Sequence, residues 1–113
     1  MTDRELLELA ARAAGLHEFD WVANDGLMNV YDSKGRQSVW NPLTDDGDAF
    51  RLAARLHLHL LHNDKTEKVL WVSAVVNKTM THAAEEFFSE TDRGAATRRA
   101  IVRAAAEIGK GVW

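Results

Sequence analysis

Apolar residues recur along the chain with two different periods, and each change of period marks an element boundary. Leu6, Leu9, Ala10, Ala13 and Ala14 follow helical spacing, which predicts an amphipathic helix over about residues 3–14. Ahead of it, Thr2-Asp3-Arg4-Glu5 has the form of a capping box, in which the Thr hydroxyl and the Glu carboxylate satisfy amide donors at the helix start. Gly15 can supply the left-handed residue that ends the helix. Between Phe19 and Trp40 the pattern shortens to β-type runs: Phe19-Asp20-Trp21-Val22, Leu27-Met28-Asn29-Val30-Tyr31 and Ser38-Val39-Trp40. Asn24-Asp25-Gly26 and Asp32-Ser33-Lys34-Gly35 separate them with residues that tolerate positive φ, so a three-stranded meander is expected.

Asn41-Pro42 ends the third run, because proline has no amide to donate to a ladder, and the acidic stretch from Thr44 to Asp48 offers several N-caps. A second helix is expected from near Asp46 to near Leu56, burying Ala49, Leu52, Ala53 and Leu56 and turning Arg51 and Arg55 to solvent. His57-Leu58-His59-Leu60-Leu61-His62 partly alternates and Val69 to Val76 is a β-branched and aromatic run. With Asn63-Asp64-Lys65 as a turn between them, they suggest a second hairpin. Residues 79–88 are ambiguous, since Ala83, Ala84, Glu85 and Glu86 favour helix while Phe87-Phe88 suits either state. Thr91 or Asp92 can cap a final helix in which Ile101, Ala104, Ala105 and Ile108 repeat at helical spacing, ending at Gly109 or Gly111. No repeat or linker interrupts this order, so residues 1–113 read as one α+β domain: helix, three-strand meander, helix, two or three strands, helix.

A chain of 113 residues suits one core and should bury roughly 65% of the surface exposed when unfolded. Cysteine is absent, which excludes disulfides, thiolate zinc sites and a nucleophilic thiol. The charged N-terminus does not resemble a signal peptide, and no apolar run approaches the roughly 20 residues that cross a bilayer, so a cytosolic protein without membrane contact is expected. The net charge is −3 but unevenly spread: residues 93–113 hold five bases and one acid, a net +4, and the first 92 residues therefore carry −7.

The ordered pieces resemble small tailed-phage and prophage proteins known as the phage ABA sandwich domain family. The resemblance lies in the opening Thr2-Asp3-Arg4-Glu5-Leu6-Leu7-Glu8-Leu9-Ala10 segment, the Trp40-Asn41-Pro42-Leu43 break and the Ala49-Phe50-Arg51-Leu52-Ala53 helix. It extends to Ala95-Ala96-Thr97-Arg98-Arg99-Ala100-Ile101-Val102-Arg103-Ala104-Ala105. It covers most of the chain through diffuse motifs. It implies an α/β/α-type sandwich, a strand at about residues 79–88, and phage or prophage origin. No defined activity and no catalytic residue come with it.

Three clusters could carry chemistry. On a strand over residues 57–62, His57 and His59 share a face and could ligate a metal, with His82 or Asp64 completing the set and His62 on the other face; His17 stands apart. The simpler reading is a solvent face carrying histidines while Leu58 and Leu60 face the core. Asp45, Asp46 and Asp48 could bind a hard cation, but helix capping explains them more simply. Arg98, Arg99 and Arg103 form a basic face that could meet phosphates or a partner protein, against the simpler reading of a solvated helix face. Of the four tryptophans, Trp21, Trp40 and Trp71 sit in expected strands as core or half-core residues, while the terminal Trp113 could pack on the domain or on a partner chain, as in a homodimer.

No nucleophile elbow, phosphate loop or His-Glu-x-x-His helix is present, so neither an enzyme nor a cofactor is expected. The leading reading is a phage or prophage accessory protein that binds a host or phage protein, for example to counteract a host defence system. The alternatives are a nucleic-acid-binding module using the last helix and a small histidine-metal enzyme.

Overall fold

The structure, a computed structural model, describes residues 1–16, 18–22, 27–31, 34–64, 66–76 and 81–111. The turn at Asn24-Asp25-Gly26, the Asp32-Ser33 half of the next one, His17, Lys65, Thr79 and Trp113 lie outside the described residues.

Helix α1 spans Asp3–Ala13, and the Thr2 hydroxyl accepts from the Glu5 amide at 3.1 Å, as the capping motif predicts. Strands β1 (Phe19–Val22), β2 (Leu27–Tyr31) and β3 (Gln37–Trp40) form an antiparallel meander in the order β1-β2-β3. Gly35, at φ +79°, supplies the left-handed residue ahead of β3. Helix α2 (Asp46–Arg55) follows the Asn41-Pro42 break, where the Asn41 carbonyl accepts from the Asp45 amide at 2.9 Å. Because α2 intervenes, β4 (His59–His62) does not extend the meander. It pairs with β5 (Leu70–Val76), which pairs with β6 (Thr81–Phe87), giving a second antiparallel sheet. The ambiguous segment is thus a strand, as the family resemblance implied. A 3₁₀ turn at Glu90–Asp92 leads into helix α3, Arg93–Gly109.

The α+β class and the order of elements are those expected, and the strands of the sandwich are divided between two sheets that meet through α3. Ile101, Val102, Ala105 and Ala106 of α3 join Leu6, Leu7, Ala10 and Ala11 of α1, Leu52 of α2, and Met28, Val30 and Trp40 of the meander in one core. Ala100 and Ala104, on another side of the same helix, pack with Leu70, Val72, Ala74, Ala83 and Phe87 of the second sheet. Met28 and Val72, fully buried in the two cores, are each worth about 1.5–3 kcal/mol of transfer free energy.

Two expectations at element ends need correction. Asp92 occupies the N-cap position of α3 without a capping side-chain hydrogen bond, and Thr91 lies inside the 3₁₀ turn, which is capped by Ser89 instead. The helix ends at Gly109, as expected, and this glycine is buried, where a Cβ would collide with the carbonyl oxygen of Leu9 on α1 and stand 2.7 Å from its carbonyl carbon. His57 is the second, and its conformation decides the metal question below.

In an open helix interior, Gly→Ala adds about 0.5–1 kcal/mol of stability. At this contact the sign reverses: Gly109→Ala is expected to cost at least about 2 kcal/mol by overpacking, measured by urea denaturation. A neutral or stabilised variant would contradict the close approach.

Candidate functional site

Among the described residues the histidines do not converge on one site. After α2 the amide of His57 donates to the Ala54 carbonyl at 3.2 Å and that of Leu58 to the Ala53 carbonyl at 3.0 Å, a Schellman ending with His57 at φ 55°. His57 is therefore the left-handed residue of a helix end, where glycine is usual, and the strand begins only at His59. The expected shared face of His57 and His59 does not exist. His59 and His82 both pair with Val75 from opposite sides, so their backbones stand two ladder spacings apart, about 10 Å. Among the described residues no group of three or more His, Cys, Asp or Glu is placed to hold a metal. The side chain of His82 lies outside what is described.

Of the three aspartates, Asp45 alone caps α2. Asp45 accepts from the Asp48 amide at 2.8 Å, and Asp48 accepts from the Asn41 amide at 2.9 Å and from Arg51 at 2.7 Å. Asp46 has a further partner from the last helix: Arg98 donates to it at 2.7 Å and to the Leu43 carbonyl at 2.9 Å. Arg99 reaches Asp3 at 3.0 Å, and Arg103 reaches Glu85 at 2.7 Å and the Ala84 carbonyl at 3.0 Å. The row read as a phosphate-facing surface is thus turned onto α1, α2 and β6. Exposed ion pairs of this kind contribute about 0–1 kcal/mol each, and their effect is to fix where the neighbouring elements sit.

Among the described residues α3 covers one face of the second sheet, and the other is open around a buried Ser73. Leu70, Val72 and Ala74 of β5 point at α3, while Trp71, Ser73 and Val75 alternate to the other side, beside Leu61 and His59 of β4 and Ala84 and Glu86 of β6. Leu61 is 53% and Trp71 39% exposed, and just beyond the ladder Val69 and Phe88 are 44% and 87% exposed. Trp71 was expected in the core or half-core, and it is instead an outer-face residue. The signal in the sequence was the continuity of the run from Val69 to Val76: apolar residues on both sides of a strand suit burial on both faces.

Two residues that the sequence reading did not single out hold this face in place. Asn63 prolongs the ladder beyond His62 with its side chain, accepting from the Trp71 amide at 2.8 Å and donating to the Val69 carbonyl at 2.8 Å. Arg93, at the start of α3, binds Glu90 through Nε at 2.7 Å and Nη2 at 2.8 Å and lies over the Phe87 ring at 4.8 Å. Its Nη1 also donates to His62 Nδ1 at 3.1 Å. A guanidinium only donates, so Nδ1 of His62 is the accepting nitrogen. Contact with Glu90 raises the Arg93 pKa further, so its charge is permanent at any physiological pH. The i,i+3 spacing of Glu90 and Arg93 was the only clue in the sequence.

Comparison with protein-family models, curated proteins and solved structures finds no match to this chain. No helix among the described residues is long and apolar enough to cross a membrane.

Next to Asn63, the Asp64 carboxylate accepts from the Thr66 amide and hydroxyl, both at 3.0 Å, and the amide bond chiefly lowers its pKa. A folded pKa below the unfolded value gives stability that is present above the ordinary carboxylate range and lost as pH falls through the folded value. Asp64→Asn should therefore lose less melting temperature than the wild type between pH 7 and pH 2. Parallel losses in the two proteins would contradict this assignment.

Proposed function

We propose that the protein is a non-catalytic binding module that docks a partner protein on the outer face of the second sheet. The observation that carries this reading is β5, whose inner face is covered by α3 while Trp71 and Val75 flank Ser73 on its outer face. Exposed, contiguous apolar surface on a small protein marks an interaction site more often than single exposed leucines do. Trp71 and Leu61 have the character of interface anchors, large and partly desolvated, and the charged side chains of Glu67, Lys68 and Glu86 form a polar rim beside Trp71.

The internal ion pairs of Arg98, Arg99 and Arg103 favour a protein partner over nucleic acid, because phosphate binding would have to compete with Asp46, Asp3 and Glu85 for the same guanidinium groups. The dispersal of the histidines among the described residues likewise favours binding over metal-dependent catalysis. The setting we propose comes from the family resemblance alone: a phage or prophage accessory protein in the host cytosol, acting on a host or phage protein, with inhibition of a defence complex as one form.

A double variant, Trp71→Glu with Leu61→Glu, separates this face from the last helix. Immobilised wild-type protein should retain a stoichiometric partner from host lysate. The double variant should lose it while melting within a few degrees of wild type, and Arg99→Ala should keep it. Retention by the double variant, or loss with Arg99→Ala alone, would contradict the assignment. A doubled mass in light scattering that reverts in the double variant would identify the partner as a second copy of the chain.

A further inference from the structure

A different surface, independent of the protein-docking face, has the form of a small-molecule site. Between the meander and α2 lies a cleft of about 410 Å³, within the range of sites that hold small ligands. Its apolar lining comes from Val30, Trp40, Leu52 and Leu16. Arg36, itself partnered, Arg51 and Arg55 also line it, with Asp48 as the one acid among the described lining residues. In a chain of net charge −3 this is a local concentration of positive charge over an apolar floor.

The three arginines are not equivalent. Arg51 is committed to Asp48 at 2.7 Å. Arg55 has no ion pair or hydrogen bond among the described residues, and its guanidinium lies beside Gly15, where a Cβ would come within 3.1 Å of Nη2. The head group therefore lies at the cleft, near the C-terminal end of α1. Tyr31, also in the lining, donates its phenol to the Asp20 carboxylate at 3.0 Å, a bond that raises its pKa.

We propose that this cleft binds a small organic monocarboxylate with an aromatic or aliphatic body, its carboxylate on Arg55 and its apolar part over Trp40 and Leu52. The charge state follows from the surroundings. The end of α1 lining the cleft through Ala14 and Leu16 is its negative, C-terminal end, and the first turn of α2 meets the cleft through Asp48, itself an acid. One anionic charge is matched by Arg55, whereas a polyphosphate would meet the helix dipole and Asp48 without the amide donors that phosphate sites use.

Titration of the full chain with 4-phenylbutyrate, 4-phenylbutan-1-ol, acetate and inorganic phosphate, followed by ¹H–¹⁵N NMR, tests this. The expected result is saturable binding of 4-phenylbutyrate with shifts at Val30, Trp40 and Leu52, and affinity at least about tenfold weaker for the alcohol, as befits a hydrogen bond to a charged group. Acetate and phosphate should bind more weakly still. Arg55→Gln, an exposed change that leaves the fold intact, should weaken 4-phenylbutyrate about tenfold and leave the alcohol unchanged. The proposal is overturned by no saturable binding, by equal affinity for acid and alcohol, or by phosphate binding as tightly as the acid. Shifts confined to other surfaces, or indifference to Arg55→Gln, would overturn it equally.

Discussion

The fold depends on how closely α3 can approach α1. The bare Cα of Gly109 lies against the Leu9 carbonyl, and the alanines around it keep the two helices near each other along their length: Ala10, Ala11 and Ala14 on one side, Ala105 and Ala106 on the other. That proximity leaves α3 thin enough to be buried on several sides at once. Its Ile101–Val102 side completes the core under the meander, and its Ala100–Ala104 side completes the core under the second sheet. A bulkier helix would have room for one sheet and not for both.

The arginines of α3 work on this same arrangement from the outside. Arg98 holds the start of α2, Arg99 the start of α1, and Arg103 the middle of β6, so three neighbours of α3 are tethered to it by its arginines. Arg93 adds a fourth tether to the Glu90 turn, His62 and Phe87. Each exposed pair is weak alone, but together they set the position of the second sheet relative to the helices. The bare face that we assign to a partner is therefore presented by a supported sheet.

Much of the architecture was legible because local signals and packing agreed. The Thr2 cap, the Asn41-Pro42 break, the Asp45 cap and the two runs of strands all follow from rules that act within a few residues. The buried faces of α1 and α3 are wider than the stripes in the sequence suggest, since Leu7, Ala11, Val102 and Ala106 face second neighbours that a single-stripe reading does not anticipate. The segment Thr81–Phe87 is a strand against its alanine-rich propensity because β5 offers it a full ladder and α3 buries Ala83 and Phe87. His57 shows the reverse limit: nothing in a run of alternating histidines and leucines reveals that its first member ends a helix. The arginine row was visible as charge, but its acidic partners lie up to 96 positions away in the chain and only folding brings them together.

A common dependence of both sheets on α3 implies one cooperative unit, which residue-resolved urea unfolding by NMR tests most directly. Met28 and Val30 in the first sheet and Val72 and Ala74 in the second should lose their native signals at a single midpoint. Two separate midpoints, with the second sheet melting while the meander stays folded, would contradict the account.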